Sequence, residues 1–163
     1  MTTVTAAKPS WLTYGAIILA TVAVAYLGAQ ISTGSDDAWY ASLNKDPLTP
    51  PDWVFAVVWP VLFILMAAGA IMVRRAAGSY EAASGALGLY FAQLIPNLAW
   101  SYAFFGFSQP TLALLILLTL WVMIIAMMAS FWRWSRRAAW LQLPYLIWTS
   151  FAGYLNAFIV AAN

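Results

Sequence analysis

Four stretches of this chain carry no charge at all: residues 9–35, 53–73, 82–132 and 138–163. One helical crossing of a bilayer takes about 20 apolar residues, so each stretch is long enough to cross at least once. The 51-residue window needs a reversal in its middle. Phe105-Gly106-Phe107-Ser108-Gln109-Pro110 supplies the Gly and Pro for that turn. The charge map therefore predicts an all-α polytopic membrane bundle of five transmembrane helices, over 11–31, 53–74, 82–104, 111–132 and 138–161. These spans use nearly the whole chain and make it a single domain. A transmembrane barrel would show short alternating segments, and these runs do not alternate.

Composition agrees. Of 163 residues, 64% are hydrophobic and 7% are charged, against about 25% charged in an ordinary soluble domain. Seven basic and five acidic side chains cannot cover a soluble surface of this size. Lys8 ahead of an apolar run resembles a signal peptide, but signal cores span about 7–15 residues and this one is longer. The first span is read as a retained helix.

The charges also orient the bundle. Lys8, Arg74, Arg75, Arg133, Arg136 and Arg137 fall on one side, opposed by Glu81. The other side holds Lys45 with Asp36, Asp37, Asp46 and Asp52. The positive-inside rule predicts a cytoplasmic N-terminus and an outside C-terminus. Helical spans favour a bacterial cytoplasmic membrane, with an outer membrane as the alternative.

The connection over 32–52 ends in Pro50-Pro51-Asp52-Trp53. Proline lacks an N–H and holds φ near −65°, which suits a helix entry, and Asp52 adds a carboxylate at the positive end of the helix dipole. The chain thus builds a stiff loop outside the membrane that runs straight into the second span.

There is no cysteine and no histidine, which removes disulfides, thiol nucleophiles, Cys/His metal sites and imidazole ligation of haem. No metal site is expected, and no cofactor is required. Apart from Arg74 at the very end of the second, the proposed spans contain no Asp, Glu, Lys or Arg, so the charged relays of coupled pumps are missing. Ser and Thr have no evident activating base. The residues favour binding over catalysis, and nothing in them calls for a nucleic-acid partner.

Helical periodicity then selects a site. On the third span Tyr90, Gln93, Asn97, Trp100 and Ser101 share about a third of the circumference. Amides in hydrocarbon need partners, so this face should look inward. Opposite lie Ser84, Gly88, Ala92, Ile95 and Ala99, a small-residue face suited to packing within one chain or to a homodimer seam. On the fifth span Tyr145, Trp148, Thr149, Ala152 and Asn156 lie within about 100° of arc. Phe55, Trp59, Phe63 and Met66 form an aromatic face on the second. Turned inward, the three faces make an aromatic pocket with a few amides and hydroxyls, the usual make-up of a small-molecule site. Trp11, Trp39, Trp53, Trp132, Trp134 and Trp140 lie at span ends, as an interfacial belt requires. Trp59, Trp100, Trp121 and Trp148 lie deeper.

The run Trp39-Tyr40…Leu43-Asn44-Lys45…Pro50-Pro51-Asp52-Trp53-Val54-Phe55…Trp59…Leu62-Phe63…Met66 resembles the signature of the TspO/MBR family of tryptophan-rich sensory and translocator proteins. Leu87-Gly88-Leu89-Tyr90, Gln93-Leu94, Asn97, Phe104-Phe105-Gly106, Pro144-Tyr145-Leu146-Ile147-Trp148 and Leu155-Asn156 extend the likeness in order. The resemblance implies a five-helix, commonly dimeric membrane protein that binds porphyrins such as protoporphyrin IX beneath its first loop. In some members it also implies sterol and benzodiazepine-type ligands. By motif match it implies pocket positions at Trp53, Phe55, Asn97, Trp148 and Ala152, with Tyr40 and Lys45 in the lid. It leaves three roles open: receptor or sensor, transporter, or light-dependent porphyrin-degrading enzyme, for which Trp53 and Trp148 would be the candidates. Lys45 would meet a propionate or stay solvated. The chain departs from the family pattern at Asp46-Pro47-Leu48, where Lys-Pro followed by Trp is usual. It departs again at Phe63, where Tyr is common, and after Tyr154, where no Lys or Arg follows.

Overall fold

The computed structural model describes residues 10–32 and 34–163. Lys8, one of the six basic residues used to orient the chain, lies outside them. The fold is all-helical: α1 (Ser10–Ile31), α2 (Ala38–Ser42), α3 (Asp52–Ala77), α4 (Ser84–Ser101), α5 (Pro110–Trp132), α6 (Arg136–Trp140) and α7 (Leu143–Ala162). Among the described residues four stretches are long and apolar enough to cross a membrane: Trp11–Ile31, Asp52–Ala77, Pro110–Trp132 and Arg136–Ala162. α4 does not join them, because Gln93, Asn97 and its serines lower its apolarity. α4 packs most extensively on α5, α5 on α7, and α1 lies against both α3 and α4.

Three element boundaries differ from the sequence reading, each for a local reason. The predicted helix 53–74 runs on to Ala77, which takes Arg75 into the helix and sets Arg74 one turn back from its end. The negative end of the helix dipole favours cations in that last turn. The predicted helix 82–104 stops at Ser101 and continues as one wide π turn, Tyr102–Gly106, in which the Phe107 amide reaches back five residues to the Tyr102 carbonyl (2.8 Å). The predicted helix 138–161 is broken in two. Ser135 caps α6, its hydroxyl accepting from the Ala138 amide, and Gln142 occupies the break before α7.

Gln142 is fully buried. Its Nε2 donates to the Ala138 carbonyl (3.2 Å) and, across the bundle, to the Leu65 carbonyl of α3 (3.4 Å). Gly69 makes that approach feasible: a Cβ there would lie 2.1 Å from Gln142 Nε2 and 3.1 Å from the Ala138 carbonyl oxygen. Around this seam Met66, Ala70, Val73, Ile124, Met127 and Phe131 have no exposed surface. The half of the bundle nearer Arg74 is solid.

Candidate functional site

The half nearer the 32–52 connection is hollow. A cavity of about 490 Å³ opens there between α1, α3, α4 and α7, beneath α2. This is within the few hundred to a thousand Å³ typical of small-molecule sites.

Its walls follow from three helix faces. α3 brings Phe55, Trp59 and Phe63, with the Trp59 and Phe63 rings 5.9 Å apart. α4 brings Asn97 and Trp100. The Trp100 ring stacks on Phe104 at 5.4 Å, and its Nε1 donates to Asn156 Oδ1 (3.1 Å). Asn156 is held in turn by donating to the Pro110 carbonyl (2.9 Å), so the indole is fixed by a hydrogen bond as well as by packing. α7 supplies Ala152 and Asn156, and Trp53 stands at the mouth, two-thirds exposed.

The floor is a chain of buried polar groups. Asn97 Nδ2 donates to the Tyr145 hydroxyl (2.8 Å), which donates to Gln93 Oε1 (2.9 Å). Gln93 Nε2 points at the Met66 sulfur, 3.8 Å away. Deeper still, Thr21 donates to the Ile17 carbonyl (2.6 Å), which leaves Tyr90 as donor to Thr21. In hydrocarbon each unpaired polar group would cost several kcal/mol, on the order of a lost hydrogen bond or more. The chain of partners removes that cost and turns the polar face of α4 inward.

The lid closes from above. Asp37 caps α2 by accepting from the Tyr40 amide (2.8 Å). The Tyr40 ring packs on Phe105 and Phe104 at 5.5 and 6.1 Å. Burial, and secondarily the Asp52 carboxylate, hold its hydroxyl pKa above the ordinary 10.0. Lys45 Nζ donates to the Tyr40 carbonyl (2.7 Å) and sits 4.5 Å over the Tyr40 ring. It is therefore neither a freely solvated lysine nor a cation aimed into the cavity, but a strut of the lid. Asp46, where the chain departs from the family pattern, is buried. It accepts from the Leu48 amide (2.7 Å) and from the Tyr154 hydroxyl of α7 (2.7 Å). Asn44 and Asn163 add a two-way amide clasp, Asn44 N to Asn163 Oδ1 (2.9 Å) and Asn163 Nδ2 to Asn44 O (3.2 Å). Gly34, at φ +59°, leaves room for the Asp52 carboxylate, which a Cβ would approach to 2.9 Å. Among the described residues no group of His, Cys, Asp and Glu is arranged to hold a metal.

Nine of the residues selected from sequence line the cavity: Tyr40, Trp53, Phe55, Trp59, Phe63, Asn97, Trp100, Ala152 and Asn156. Four do not reach its surface. Gln93 and Tyr145 form the floor beneath it, Tyr90 is paired to Thr21 below them, and Trp148 stands behind Phe55, ring to ring at 5.4 Å. The Trp148 indole N–H is buried without a partner. Trp121 faces away on α5 and donates to Ser150 (2.9 Å). The sequence reading missed α1 altogether, although Ala25, Gly28 and Ala29 line the cavity. That helix is so nearly apolar that its signals are slight: the buried Thr13 and Thr21 on one side, and small residues three and four apart.

A model of the TspO/MBR family matches residues 16–161. The chain belongs to the TspO/MBR family. It is 36% identical over 142 residues to the tryptophan-rich protein TspO of Chlorobaculum tepidum, covering 87% of this chain and 90% of that one. It is 39% identical over 149 residues to the translocator protein of Bos taurus, covering 91% and 88%. It is 38% identical over 136 residues to the tryptophan-rich sensory protein of Cereibacter sphaeroides, covering 82% and 84%. Membership makes this an integral membrane protein. The aromatic positions quoted above as family-like, Trp53, Phe55 and Trp59 among them, are those that α3 presents to the cavity.

Proposed function

We propose that this TspO/MBR protein is a membrane receptor or sensor that takes a flat, amphipathic tetrapyrrole of the protoporphyrin IX type into the cavity and regulates tetrapyrrole or stress responses through it. One observation carries the reading: Trp59, Phe63, Trp100 and Phe104 stand around a hollow whose few polar groups, Asn97 and Asn156, are already held in place. Stacking of a planar ring on each indole face contributes roughly 1–3 kcal/mol, taking base–aromatic stacking as the guide. Sterols and benzodiazepine-type molecules are secondary ligand classes on the same apolar walls. The solid half below the Gln93–Tyr145 floor favours reception over transport, because a moving ligand would have to part Met66, Tyr90 and Met127.

In this proposal α4 also crosses the membrane and brings the count of spans to five, the lid and α7 end lie outside, and the Arg74 end is cytoplasmic, in a bacterial cytoplasmic membrane. A cytoplasmic signal from a reporter fused after Asn163 would reverse that orientation. The protein is proposed to pair as a homodimer through the outward face of α4, where Ser84, Gly88 and Ile95 are exposed. Cross-linking through Gly88→Cys should trap a dimer.

Dark titration of protoporphyrin IX with purified protein tests the binding. Quenching of ring fluorescence is expected, and Trp59→Ala should weaken it at least severalfold. Trp148→Ala should act less, through loss of support for Phe55. Affinity unchanged in Trp59→Ala would remove the ligand from this cavity. A new absorbing product on illumination, abolished by Trp53→Phe, would mark the degrading enzyme instead.

A further inference from the structure

Arg74 is 5% exposed, and its Nε is sealed without a hydrogen-bond partner. Among the described residues no carboxylate pairs with it, and residues 1–9 contain none. The nearest acid in sequence, Glu81, is exposed. The four aspartates belong to the opposite end, about 33 Å away along α3 at 1.5 Å per residue. A guanidinium cannot shed its proton to relieve burial, so its charge calls for an anion from outside the chain.

The surroundings specify which kind. The buried cluster to which its chain neighbour Val73 belongs, with Phe131, Ala138 and Ala139, is apolar. Arg75 lies over the Tyr14 ring at 5.9 Å and Arg136 over Trp132 at 5.4 Å, with Trp140 edge-on to Trp132 at 5.9 Å. Such a girdle of indoles, phenol and cations marks headgroup depth, where phosphate oxygens are the abundant acceptors and match the planar fork of an arginine. We propose that Arg74 is the base of an oxyanion site that takes a phosphate group, presented by the headgroup of an anionic phospholipid. The open edge of the guanidinium meets the phosphate, and the exposed Arg137 adds attraction at the rim.

The test uses the full-length protein in phosphatidylcholine nanodiscs, with phosphatidylglycerol or inorganic phosphate added. Thermal midpoint and lipid retained in native mass spectrometry are read together. Phosphatidylglycerol should raise the midpoint and stay bound to the wild type and to Arg133→Gln, which removes an equal charge nearby. Arg74→Gln should lose both effects. Arg74→Lys keeps the charge and serves where the glutamine variant does not fold. It should retain lipid about tenfold less well, the order expected for losing a bidentate charge-assisted pair. A midpoint rise with inorganic phosphate alone, absent in Arg74→Gln, would support the oxyanion site with a soluble source. Equal lipid retention in wild type, Arg74→Gln and Arg74→Lys would overturn the proposal.

Discussion

The two halves of this bundle use the same residue types and reach opposite results. Toward the lid, α1, α3 and α7 face one another with Ala25, Gly28, Ala29, Ala56 and Ala152, and the large rings stand back around a void. Toward Arg74, the facing positions are Met66, Val73, Ile124, Met127 and Phe131, and no water-sized gap touches them. Aromatic residues decorate the cavity, but alanines and glycines create it. The Gln93–Tyr145–Asn97 chain is the boundary between the two halves.

The largest effect is expected in the solid half. Gly69→Ala forces Gln142 aside and presses a methyl on the Ala138 carbonyl, so a loss of about 3 kcal/mol is expected. Chemical or thermal unfolding in detergent would show it, and a near-neutral result would mean the seam is loose. A paired test comes next. Ala70→Leu should cost about 2 kcal/mol by overpacking, whereas Ala152→Leu, pointing into the void, should stay within about 0.5 kcal/mol. Equal costs would dissolve the distinction between hollow and solid. At the boundary, Tyr145→Phe leaves Gln93 Oε1 and the Asn97 amide short of a partner, and about 1–2 kcal/mol should be lost.

Smaller effects are confined to the lid. Asp46→Asn weakens the hydrogen bond from Tyr154 and should speed amide exchange across the 40–49 segment while leaving the global unfolding midpoint nearly unchanged. The smallest effect depends on pH. Because folding raises the Tyr40 pKa above 10.0, its stabilisation is complete below the unfolded value and is lost as pH rises through the folded one. Lid exchange should therefore accelerate above about pH 10 in the wild type more than in Tyr40→Phe. Parallel curves would mean that Tyr40 titrates as if solvated.

The sequence made much of this legible because hydrocarbon leaves polar residues few options. Gln93, Asn97, Trp100 and Asn156 had to find one another, and their helical phase showed where. Trp148 misled because phase alone gives a direction without a depth: it points inward but stops behind Phe55. The α1 wall was missed because a helix with few polar residues beyond Thr13 and Thr21 to break its apolar run gives little phase to read. Arg74 was read as the end of the second span, whereas the helix runs to Ala77 and buries it.

The wide turn at Tyr102–Gly106 sets a tolerance of its own. Its extra residue per turn advances the chain so that Phe104 and Phe105 both reach the cavity and Tyr40 can rest on the pair. Removing one residue there would restore ordinary winding, and Phe104 and Phe105 could no longer both face the cavity. This wall should therefore accept many exchanges of side chain and almost no change of length.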